Sequence, residues 1–106
     1  MDSVLPRRLK AARLHCQLTQ KQLGLRLGLD ENTASARMNQ YERGKHAPDY
    51  LTMQRLARVL KVPVAYFYCD DDLLARLICA VAGHSAEEQR RLLQRLAVPE
   101  HPSFEE

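Results

Sequence analysis

The chain has 106 residues, 45% apolar and 27% charged, which fits one ordinary globular domain with at most an appended element. Its net charge of +3 is uneven: residues 1–61 carry 12 Lys/Arg against 5 Asp/Glu and residues 62–106 carry 4 against 8, so the first part suits an anionic partner such as nucleic acid. No run approaches the ~18 apolar residues of a membrane span, and MDSVLPRRLK has no secretory-signal pattern, so no membrane partner is expected and the cytosol is the expected location.

Leu5, Leu9, Ala12 and Cys16 recur at helical spacing and predict a first helix over about 6–15, with Pro6 in the first turn, where no N–H donor is needed. Thr19 with Gln22 makes a capping box for a second helix, which buries Leu23 and Leu27 and stops at Gly28. Asp30 then caps a third helix over about 31–43, ended by Gly44. Asp49 caps a fourth, in which Met53, Leu56, Ala57 and Leu60 form a buried stripe at i, i+3, i+4 and i+7. Val62-Pro63 breaks that helix, and Val64 to Tyr68 closes the core with Tyr66, Phe67 and Tyr68.

From Asp70 the character changes. Asp70-Asp71-Asp72 opens a helix N-terminus, where carboxylates favour the dipole. Leu73, Leu74, Leu77, Ile78 and Val81 stripe that helix, which closes at Gly83. Ser85 with Glu88 is a second capping box, opening a helix to about residue 97 with Leu92, Leu93 and Leu96 on one side. Residues 98–106 hold two Pro and three Glu and are expected to be a flexible tail. No alternating strand pattern occurs, so the predicted class is all-α.

The third helix is poor in core-forming side chains. At about 100° per residue Ala34, Met38 and Tyr41 share its inward face. Opposite lie Asn32, Thr33, Ala36, Asn39, Gln40 and Arg43, with Ser35 and Arg37 on the flanks and no acidic side chain among them. Asn and Gln can make paired hydrogen bonds to adenine in the major groove, Arg can do so to guanine, and small residues allow close approach to base edges. A merely solvated helix would more typically carry Glu and Lys at i, i+4.

A short helix, a Gly-containing turn and a second helix with such a face is the helix-turn-helix arrangement. Leu18-Thr19-Gln20, Leu23-Gly24, Leu27-Gly28-Leu29, Met38-Asn39-Gln40-Tyr41-Glu42-Arg43-Gly44, Pro48 and Leu56-Ala57 resemble the Xre-type, phage-repressor-like (Cro/cI-type) helix-turn-helix family of transcriptional regulators over about residues 5–68. The resemblance implies a five-helix repressor-like domain over residues 1–69; the residue pattern adds a C-terminal helical pair, residues 70–97, and the tail 98–106. It also implies base-reading positions at Ser35, Ala36, Asn39 and Gln40, joined by Asn32 if the third helix is extended. Phosphate contacts are expected from Gln20, Lys21, Arg37, Arg43 and Lys45, with His46 nearby. An ion pair between Arg13 and Glu42 is expected to link the first and third helices.

Three departures from the family pattern carry expectations. Gly24 stands where Ala is usual and should fit while weakening its helix by up to ~1 kcal/mol. The interval from Gly28 to Met38 is about four residues longer than usual, close to one helical turn, which predicts an N-terminal extension of the third helix. Gln17 stands where Gly is usual, so the first helix should end differently.

The expected partner is double-stranded DNA with a two-fold-symmetric operator, bound by a homodimer. Residues Leu73, Leu74, Leu77, Ile78, Val81, Leu92, Leu93 and Leu96 are the expected dimer surface. Domains of this type also occur in antitoxins and in bridging factors, so a protein partner is the second expectation. Catalysis, a cofactor and a metal are not expected: Cys16, Cys69 and Cys79 form no CxxC pair and are expected to be buried free thiols, the four His are scattered, and no Gly loop suits a phosphate.

Overall fold

A computed structural model describes residues 3–96; the expected tail lies outside them. Seven helices follow one another: α1 (Leu5–His15), α2 (Gln20–Arg26), α3 (Ala34–Glu42), α4 (Tyr50–Leu60), α5 (Val64–Tyr68), α6 (Asp72–Ala82) and α7 (Ala86–Arg95). No strand occurs among the described residues. The starts follow local chemistry. Both capping boxes form, Thr19 with Gln22 and Ser85 with Glu88, and the carboxylates of Asp49 and Asp71 accept from the N–H groups of Thr52 and Leu74.

The helix ends follow one pattern. At the end of α2 the Leu29 N–H reaches the Gly24 carbonyl and the Gly28 N–H reaches that of Leu25, a Schellman motif with Gly28 at φ 86°. Gly44, at φ 73°, closes α3 in the same way. The first and fourth helices also end this way but without glycine: Gln17 sits at φ 59° and Lys61 at φ 60°. Helix α1 thus keeps the geometry expected of a glycine. Left-handed backbone costs a side-chain-bearing residue about 1–2 kcal/mol. Glycine is also more flexible in the unfolded chain, by about 0.4–1 kcal/mol, so Gln17→Gly should stabilise the fold by about 0.5–1 kcal/mol. Chemical denaturation checks this, and an unchanged or lower midpoint would contradict it.

The core is drawn from α1 to α5. Leu9, Leu23, Met38, Met53, Leu56 and Phe67 are fully enclosed, with Leu5, Ala12, Leu18, Tyr41, Ala57 and Leu60 around them. Leu27, expected to be buried, is half-buried against this cluster. The three cysteines are free thiols, each half-buried rather than buried. Of the aromatic trio, Phe67 is enclosed and Tyr66 meets it edge-on at 5.4 Å, but Tyr68 is 52% exposed and closes nothing.

Helix α3 is shorter than expected. Glu31, Asn32 and Thr33 form a turn and the helix begins at Ala34, so the extra residues lengthen the connection instead of extending the helix. The cause is Asp30. Its carboxylate accepts the Asn32 N–H at 3.0 Å, and its carbonyl accepts the N–H groups of Thr33 at 3.0 Å and Ala34 at 2.9 Å. The Thr33 hydroxyl also donates to that carbonyl. The two backbone bonds close a single turn on Asp30, and the Asp30 carboxylate and Thr33 hydroxyl add side-chain bonds of the kind that compete with regular helix.

Helices α6 and α7 lie apart from this core. The molecule measures 50 × 31 × 24 Å with a radius of gyration of 15.8 Å, against about 13 Å for a compact chain of this length. Only Ala75 of α6 is buried, and no residue of α7 is. Gln89 holds the corner between them, donating to the Val81 and His84 carbonyls at 2.9 and 3.3 Å.

Candidate nucleic-acid interface

Helices α2 and α3 are packed face to face through Leu23, Met38 and Tyr41. At their closest approach Gly24 meets Ala34: a Cβ built on Gly24 would fall 2.7 Å from the Ala34 Cβ, 2.8 Å from its carbonyl oxygen and 2.9 Å from its Cα. Glycine here is therefore a steric requirement and more than a tolerated departure. It lets the start of α3 lie directly on α2.

Burying Ala34, Met38 and Tyr41 turns the rest of α3 outward. Ser35, Ala36 and Arg37 are exposed, and Asn39 and Gln40 are half-buried beside them. Arg43 and Lys45 are exposed just past the helix, while Asn32 is exposed in the preceding turn. The outward face thus joins amides, small side chains and cations. Arg37, Gln40, Tyr41 and His46 border a recess of about 360 Å³.

One buried network fixes this face. Arg13 and Glu42 are joined: the Arg13 Nε donates to Glu42 Oε2 at 2.6 Å and its second guanidinium nitrogen to Oε1 at 3.0 Å. The third nitrogen donates to the Leu18 carbonyl at 2.8 Å. The side chains are 10% and 3% exposed, so α1, the start of α2 and the end of α3 are tied through a desolvated pair. Gln20 completes the network, its Nε2 donating to Asn39 Oδ1 at 3.3 Å and Glu42 Oε1 at 3.2 Å. Both of its amide hydrogens therefore point inward in the free protein. Lys21 pairs with Glu31 at 3.1 Å, an exposed contact of little energy that a phosphate can displace.

Some contributors carried no signal in the sequence. Arg7 and Lys10 of α1 share with Arg43 and Gly44 a cleft of about 1020 Å³, widening the basic surface beyond α3. Arg8, 6% exposed, locks the α5–α6 connection to α1. It donates twice to the Cys69 carbonyl, at 3.1 and 2.8 Å, pairs with Asp72 at 2.9 Å and stacks over the Tyr66 ring. Arg7 reaches the same carboxylate at 2.9 Å, and these two guanidinium groups hold Asp72 below the ordinary carboxylate range. The position of α6 is thereby set from α1. Among the described residues no cluster of His, Cys, Asp and Glu is arranged to hold a metal, and no helix is long and apolar enough to cross a membrane.

Every residue of the expected dimer surface lies on α6, on α7 or just beyond it. Leu73, Leu74, Leu77, Leu93 and Leu96 are 50–65% exposed, and Ile78, Val81 and Leu92 are half-buried. The stripe is not folded back onto the five-helix core.

The helix-turn-helix family model (HTH_3) matches residues 9–67. No curated protein matches the chain. Among solved structures the chain is similar to the transcriptional regulator BswR, at 49% identity and a TM-score of 0.82, over 88% of this chain and 92% of that one. With the family match spanning more than half of its length, the chain belongs to the Xre-type, Cro/cI-like helix-turn-helix family of transcriptional regulators.

Proposed function

We propose that the chain is a sequence-specific regulator of transcription that lays α3 in the major groove of double-stranded DNA as a homodimer and acts as a repressor by covering its operator. The observation that carries this reading is the outward face of α3: exposed or half-buried Ser35, Ala36, Asn39 and Gln40, free of acidic side chains and flanked by Arg37, Arg43 and Lys45. Base edges are read by the amides and small residues, with Gln40 donating and accepting together. Asn39, whose oxygen is engaged by Gln20, keeps its N–H groups for acceptors such as guanine N7 and O6. Asn32 leaves the base-reading set, because the helical extension it depended on is a turn. Phosphates are held by Arg37, Arg43 and Lys45, by Lys21 once it leaves Glu31, and by Gln20 through its main-chain N–H at the start of α2.

One such module buries little surface, and two gain affinity and specificity together on half-sites about one helical turn apart. The exposed stripe on α6 and α7 supports pairing through residues 70–97, with residues 1–69 as the reading domain. Leu77→Asp, at a 52% exposed position, should leave the helices intact, yield a monomer by sedimentation and weaken binding to a two-half-site duplex by about 100-fold or more. A dimer that survived this change would remove the stripe from the account. The same apolar stripe also suits a protein partner, as in an antitoxin or bridging factor. That second reading is favoured if the unmodified chain is monomeric.

A further inference from the structure

Helix α6 has two faces. On a helical wheel Leu73, Leu74, Leu77, Ile78 and Val81 centre almost opposite Ala75, Arg76 and Cys79. Ala75 is buried, and Arg76 and Cys79 face α1 and the α4–α5 connection across a cleft of about 780 Å³. Its walls are apolar, including Cys16, Leu60, Val62 and the Tyr66 ring; burial pushes the Cys79 thiol up, keeping it neutral. Its edges carry His15, Lys61 and Arg76. A second recess of about 300 Å³ shares Lys61, Val62 and Cys79 and adds Arg58. None of the residues lining either one is acidic. Arg58, Lys61 and Arg76 form no ion pair among the described residues.

A cleft of this size with apolar walls and a few convergent polar groups is the usual form of a small-molecule site. Unpaired cations gathered at an apolar hollow favour a ligand with an anionic head and an apolar body. The proposed pairing stripe lies on the other side of α6, so a second copy leaves this cleft open. We propose that the cleft between α1, the α4–α5 connection and α6 binds a small amphipathic anion, a carboxylate with an apolar chain. A ligand there touches the reading domain and α6 at once.

The test titrates decanoate, with decanol as the uncharged control, into the isotope-labelled full chain without DNA while amide chemical shifts are followed. The expected result is one saturable set of shifts at residues 11–16, 60–62 and 75–79, with decanol binding at least tenfold more weakly. Arg76→Ala combined with Lys61→Gly should weaken decanoate at least tenfold; both positions are exposed, and glycine suits the left-handed backbone at Lys61. Shifts confined to the Leu73–Val81 stripe or to α7, equal affinity for decanol, or no saturation would overturn the proposal. So would shifts showing residues 98–106 seated in the cleft before decanoate is added. Leu77→Asp should bind decanoate as the unmodified chain does, so failure of the dimer reading is distinguishable from failure of this one.

Discussion

Replacing Glu42 with alanine is expected to cost about 3–5 kcal/mol of folding stability, the range for breaking one side of a buried ion pair. The Arg13 guanidinium, 10% exposed, would keep only the Leu18 carbonyl as partner and leave its charge uncompensated. Gln20 would also lose one of its two acceptors. Against a total stability of about 5–15 kcal/mol this is a large fraction, readable as a lower denaturant midpoint. Arg13→Met with Glu42→Leu should recover much of the loss, because replacing both partners by apolar groups leaves no buried charge. A Glu42→Ala variant within about 1 kcal/mol of the unmodified chain would show the pair to be no stronger than an exposed one. The same network holds Asn39, so the double variant is expected to regain stability without regaining full base discrimination.

The second large effect is expected at Gly24. In an isolated helix, Gly→Ala would stabilise by up to ~1 kcal/mol. Here the new methyl would meet backbone atoms of Ala34 at 2.8 and 2.9 Å as well as its Cβ at 2.7 Å, and backbone cannot rotate away. Overpacking of this kind costs about 1–3 kcal/mol, so Gly24→Ala should lose about 1–2 kcal/mol net. Adding Ala34→Gly removes the Cβ contact alone and should restore only part of the loss. Because relief requires α3 to move off α2, DNA affinity should fall along with the melting temperature. A Gly24→Ala variant more stable than the parent would mean that the two helices are not held at this separation.

Periodicity and capping chemistry made most of the fold legible. The stripes of α1 and α4, both capping boxes and the glycine stops at Gly28 and Gly44 are local signals, and local signals survive packing. What was not legible depended on distant or competing groups. Gln17 and Lys61 take left-handed backbone because the chain must reverse there, although neither residue announces it. Residues 31–33 contain no helix breaker, yet Asp30 and Thr33 supply side-chain bonds that favour a turn. Arg8 looks like any charge on a surface helix, and its burial comes from a carbonyl 61 residues away.

The candidate site divides in the same way. The inward and outward faces of α3 could be read from spacing, since only Ala34, Met38 and Tyr41 suit a core. That Gln20 turns inward to Asn39 and Glu42 could not, because it follows from how α2 is seated on α3. The steric meaning of Gly24 was hidden for the same reason. A glycine in a helix reads as weakness until the residue opposite it is known.

Two copies of this chain are proposed to read DNA sequence together. This is tested most directly by selecting bound duplexes from a random DNA pool with the full chain at low and near-physiological salt. The expected result is enrichment of one two-fold-symmetric site, with half-sites about one helical turn apart, that persists at the higher salt. Binding without enrichment that fades steeply with salt would reduce the basic surface to phosphate attraction and contradict the claim.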